Sequence, residues 1–79
     1  MSTVYIIFSQ TTQKYYTGQT QDFDNRLLEN NSGETPSINH GIPWKLVWFA
    51  QVESRKEAMI LEKKIKNQGA MRFIESMHN

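Results

Sequence analysis

The chain has 79 residues, nine Lys and Arg against eight Asp and Glu, and no cysteine. That length reads as one domain over 1–79, burying roughly 60% of its unfolded surface. A disulfide framework, a thiolate metal site and a membrane span of ~20 apolar residues are all excluded. The N-terminus lacks the charged, apolar and small-residue succession of a signal peptide, so the expected compartment is the cytoplasm. The net charge of +1 says little about partners. Its distribution says more: residues 54–67 carry Arg55, Lys56, Lys63, Lys64 and Lys66 against Glu57 and Glu62, a local basic excess that favours polyanions.

Residues 3–9 are rich in β-branched and aromatic types and predict a strand covered on both faces. A polar turn at 10–13 leads to a second strand over 14–20, which makes an antiparallel hairpin. Gly18 marks a bulge or a place where backbone or ligand comes close. Asp22 or Asp24 caps a helix over about 23–31, with Phe23, Leu27 and Leu28 facing the sheet and Arg26 at the margin of that stripe. Gly33 suits a left-handed position after it. A long polar loop over 32–43 carries Pro36, His40 and Pro43, and loops of that length often serve a function.

Residues 44–52 predict a third strand, whose aromatic density suggests the centre of the core. Ser54 and Glu57 match a capping box. The helix they open runs to about Asn67 with Ala58, Leu61 and Ile65 as its apolar stripe, and Gly69 breaks it. A short helix over 70–77 docks through Phe73, Ile74 and Met77. The order β-β-α-β-α-α belongs to the α+β class.

Four residues in this frame carry chemistry. Cutting a phosphodiester requires an activated water, charge stabilisation at the phosphate and help for the leaving oxygen. A tyrosine, with an ordinary pKa near ~10, acts as a base only beside a cation that favours its phenolate. An arginine fork suits a phosphate, and one carboxylate can hold Mg²⁺, which keeps several waters and takes substrate oxygens. Tyr5, Tyr16, Arg26 and Glu62 supply these groups.

Thr3-Val4-Tyr5, Tyr16-Thr17-Gly18, the arginine ten residues after Tyr16 and the helix Glu57 to Lys66 together resemble the GIY-YIG nuclease superfamily over essentially the whole chain. Asn31-Ser32-Gly33 and the segment 41–47 look like the small standalone bacterial UvrC-like members. The resemblance implies a three-stranded antiparallel sheet flanked by helices and hydrolysis of DNA, branched or nicked forms included, with one Mg²⁺ or Mn²⁺. It implies Tyr5 as general base, Tyr16 beside the scissile phosphate, Arg26 on that phosphate and Glu62 on the metal. His40 falls near a further functional histidine of a phage homing endonuclease. Gly18, Arg26, Asn30, Lys63 and Lys66 are the candidate nucleic-acid contacts, and a domain this small can need a partner protein for targeting.

The chain departs from the family pattern at Thr3, Thr17, Gln19 and Asn30. Gln19 stands where some members have lysine. Asn30 stands where many have histidine or tyrosine, and it cannot shuttle a proton. These two support an alternative: a nucleic-acid-binding module with little or no cleavage. Structural roles compete as well. Glu62 can pair with Lys66 at i,i+4, while Tyr15, Trp44, Trp48 and Phe49 read as packing residues and His78 has no assigned role. A nuclease site requires Tyr5, Tyr16, Arg26 and Glu62 around one concave face.

Overall fold

Six elements follow one another: β1 (Ser2–Ser9), β2 (Lys14–Thr20), α1 (Phe23–Ser32), β3 (Trp44–Val52), α2 (Arg55–Gln68) and α3 (Ala70–Met77). The computed structural model describes residues 1–32 and 41–77, without the side chains of 27–30 and 32. The expected packing of Leu27 and Leu28, the contacts of Asn30, the conformation of Gly33, and the places of Pro36, His40 and His78 therefore lie outside the described residues.

The strands form one antiparallel sheet in the order β2-β1-β3. The α+β class and the element order agree with the sequence. The central strand does not: β1 lies in the middle and β3 at an edge. The physical reason is burial on both faces. Val4, Tyr5, Ile6 and Ile7 are successive and at most 3% exposed, as a doubly covered strand must be. Along β3, buried or half-buried residues alternate with exposed ones, and Phe49 is 53% exposed. Its rings cover the sheet from the side, so their number did not mark the centre. A register shift between Ile6 and Ile7 leaves Val47 as an extra residue on β3, pointing outward.

Strand alternation sends side chains to two separate cores. On one face Val4 and Ile6 pack with Ala58 and Ile65 of α2 and Phe73 of α3. On the other Tyr5, Ile7 and Trp44 pack with Tyr16, Phe23, Ile42 and Leu46. Tyr15 and Tyr16 fall on opposite faces, as their adjacency requires; Tyr15 joins the first core, its ring tilted against that of Phe8 at 4.8 Å.

Local signals set the element ends. Asp22 caps α1, its Oδ1 accepting from the Asn25 N–H at 3.4 Å. Ser54 caps α2, its Oγ accepting from the Glu57 N–H at 3.2 Å. Glu57 returns the contact to the N–H of Glu53, one residue before the cap, at 3.2 Å. Gly69 ends α2 at φ 96°, a conformation glycine adopts without steric cost. Near the end of α1, the Asn31 side chain behaves like a strand partner. Its Oδ1 accepts from the Trp44 N–H at 2.6 Å and its Nδ2 donates to the Trp44 carbonyl at 3.1 Å. That amide ties α1 to the first residue of β3.

Candidate functional site

The two motif tyrosines meet over Gly18. Register places Tyr5 opposite Gly18 and Ile7 opposite Tyr16, so Tyr5, Tyr16 and Gly18 share one sheet face. A β-carbon built on Gly18 would lie 2.6 Å from the Tyr5 Oη, 2.8 Å from its Cζ and 3.2 Å from Tyr16 Cε1. The missing side chain is thus what seats the Tyr5 hydroxyl on the β2 backbone. Gly18 makes a close approach there; the irregularity of the sheet lies elsewhere, between β1 and β3. Phe23 of α1 packs at 5.6 Å from the Tyr5 ring and at 5.8 Å from Phe49, nearly parallel to it. Trp44 lies 6.2 Å from Tyr16. Tyr5 is 3% exposed, whereas Tyr16 is half-buried at the sheet edge.

Glu62 comes to the same edge strand from the other side. Gln19 follows Gly18 and points to the opposite face, opposite Val4. Its Nε2 donates to Glu62 Oε1 at 3.0 Å, across 43 residues of sequence. Glu62 Oε2 pairs with Lys66 Nζ at 2.8 Å. The Glu62 side chain is 18% exposed and that of Lys66 56%. Each carboxylate oxygen therefore already meets a donor, with lone pairs to spare for a second.

Two shallow hollows flank this carboxylate. One is lined by Arg26, Gln19, Asp22 and Arg55 among others, at the end of the sheet where β2 leaves it. The other is lined by Tyr16, Thr17, Lys66 and Gly69. Gln19 lines the first hollow together with Arg26, and Lys66 lines the second together with Tyr16. The tyrosines stand on one side of β2 and Glu62 on the other, and neither hollow is lined by all four expected residues. Lys63 is exposed on α2 and lines neither hollow. Asn30 and His40 belong to the part whose contacts are not described.

A family model described as the GIY-YIG catalytic domain matches residues 1–72. The chain belongs to the GIY-YIG family. No curated protein and no solved structure gives a significant match. The GIY-YIG assignment makes this a nuclease-type fold, and GIY-YIG nucleases are generally metal-dependent. Among the described residues no group of three or more His, Asp or Glu side chains gathers for a metal. The donor set fits a hard, oxygen-loving cation held by one carboxylate, with water and substrate oxygens completing its shell. Glu62 is an acid that borders both hollows through its partners, Gln19 lining one and Lys66 the other. No helix among the described residues is long and apolar enough to cross a membrane.

Sequence reasoning missed two features of this GIY-YIG site. Gln19 read as a departure from the family pattern, yet it is the hydrogen-bond partner of Glu62. Nothing in the sequence links positions 19 and 62, because the contact exists only once α2 lies across β2. Arg55 read as one of a basic stretch. Its spacing of seven from Glu62 was the available signal, since seven residues return a helix to nearly the same face.

Proposed function

We propose that this chain is a divalent-metal-dependent endonuclease domain that hydrolyses DNA phosphodiester bonds along the edge of β2. The observation that carries the reading is the setting of Glu62: a largely buried carboxylate, oriented through both oxygens, between a hollow lined by Arg26 and a hollow lined by Tyr16. A bound Mg²⁺ or Mn²⁺ supplies positive charge to the phosphate oxygens in such chemistry. Glu62 is the residue that holds it. Lys66 gives way at small cost, since an i,i+4 pair of this kind is worth only ~0.2–0.5 kcal/mol. Gln19 keeps the other oxygen in place.

Arg26 donates both arms of its guanidinium to the phosphate being cut, and Tyr16 lies along it. With its phenol proton lost to solvent, the Tyr5 oxygen, fixed over Gly18, takes the proton of the attacking water. The water oxygen bonds to phosphorus, the bond from phosphorus to the leaving oxygen breaks, and that oxygen takes a proton from solvent. Purified protein incubated with flapped, nicked and branched DNA and Mg²⁺ or Mn²⁺ tests this. Glu62→Ala and Tyr5→Phe are each expected to lower the rate by about 10²-fold or more. Cleavage unchanged in both variants sinks the mechanism.

A second reading rests on the same carboxylate, which meets β2 from the face opposite the tyrosines rather than around one concave face with them. With Oε1 on Gln19 and Oε2 on Lys66, Glu62 is internally satisfied, and the fold then serves as a nucleic-acid-binding module with weak or absent cleavage. DNA binding that falls with salt, without cutting under any metal, favours this reading over the first.

A further inference from the structure

The hollow at the end of the sheet carries one basic residue that the cutting chemistry does not use, Arg55. Two guanidinium groups line it, Arg26 from α1 and Arg55 from the first turn of α2. It is open and encloses about 430 Å³. One carboxylate is also present, Asp22, but its oxygens accept from the Asn25 N–H at 3.4 Å and from Asn25 Nδ2 at 2.9 Å, which commits it to capping α1. Among the described residues no carboxylate pairs with Arg55.

Position relative to Glu62 defines what the hollow takes. Gln19, which holds Glu62 Oε1, also lines it, so hollow and carboxylate share a wall. Arg55 lies seven residues before Glu62 on α2, on nearly the same helix face and ~10 Å along the axis. We propose that Arg55 is a second phosphate-binding residue, which holds the nucleic-acid backbone at a phosphate beyond the one that Arg26 contacts at the cut bond. The proposal rests on the reading of the site as one that takes nucleic acid, and it holds whether or not the chain cuts. Arginine suits the role because its fork matches two phosphate oxygens, a geometry lysine cannot reproduce.

The test is binding of a short flapped DNA duplex to the full chain in chelator, across a range of salt. Wild type is compared with Arg55→Gln, Arg55→Lys, Arg26→Gln and, as a control near the hairpin turn, Lys14→Gln. Arg55→Gln is expected to weaken binding several-fold and to lower the slope of log affinity against log salt by ~0.9, one phosphate contact. Arg55→Lys keeps the slope and loses less affinity; Lys14→Gln changes neither. Arg55 is exposed, and an unchanged circular dichroism spectrum of Arg55→Gln assigns any loss to the contact. DNA binding in which Arg55→Gln keeps the wild-type affinity and slope overturns this inference alone. Absence of wild-type binding at low salt overturns it together with the nucleic-acid reading. Binding with an Arg55-dependent slope but no cleavage under any metal upholds Arg55 and sinks only the cutting mechanism.

Discussion

The two faces of the sheet are built from the same three strands but are finished differently. Below α2 and α3 the core is mostly aliphatic and closed: Val4, Ile6, Ala58 and Ile65 are fully buried, and Phe73 stands edge-on to Trp48 at 4.9 Å. Below α1 the core is aromatic and open at its borders, with Tyr16 half-buried and Phe49 53% exposed. The closed face supplies stability; the open one presents hydroxyls at the edge of β2. A domain of this size has little surplus stability, so the closed core is expected to carry most of it.

The difference can be broken first at its strongest point. Phe73→Ala is expected to cost about 3–5 kcal/mol and to leave the domain marginal in urea unfolding, because a ring 6% exposed is replaced by a void. Phe49→Ala on the other face is expected to cost less than ~1 kcal/mol by the same measurement. Equal losses at the two positions would end the distinction between a closed and an open face.

Two changes of middle size probe the α1 side. Asn31→Ala removes both side-chain bonds to the Trp44 backbone, and a loss of about 1–3 kcal/mol is expected in thermal unfolding, with faster amide exchange at Trp44. Gly18→Ala drives a methyl group to within 2.6 Å of the Tyr5 Oη. A cost of about 1–3 kcal/mol and a shift of the Tyr5 and Tyr16 ring resonances follow, without change at Phe73. Shifts spreading equally to Phe73 would mean that the two cores respond as one.

The smallest change in stability sharpens the picture most. Lys66→Met removes an ion pair whose lysine is 56% exposed, so unfolding should move by no more than ~0.5 kcal/mol. The same variant frees Glu62 Oε2, and Mn²⁺ binding, followed by paramagnetic broadening at Glu62, should tighten relative to wild type. Unchanged or weaker binding would show that Lys66 does not compete for the carboxylate.

Much of the fold was legible because it is written in local rules. The capping residues Asp22 and Ser54, the breaker Gly69 and the alternation that separates Tyr15 from Tyr16 each act within a few residues. The four candidate site residues were legible as a set through their order and the family they match. Their arrangement was not. The sequence reading put β3 centrally in the core from its aromatic content, whereas the middle of the sheet falls to β1, the strand it had read as covered on both faces. It also sought one concave face, while Glu62 reaches β2 from the side opposite the tyrosines.

The sequence by itself determined the element order, the α+β class, the nuclease-type family and the identities of Tyr5, Tyr16, Arg26 and Glu62. Periodicity, caps and turn residues act over one or two turns of chain, and those signals survive in a linear string. Only the tertiary structure decided that Gln19 holds Glu62, that Asn31 stands in for a strand at Trp44, and that Arg55 shares a hollow with Arg26. Each of those contacts joins separate elements, in the first case across 43 residues, and depends on where a helix comes to rest against a sheet. No spacing rule encodes that distance, because packing, rather than the local chain, sets it.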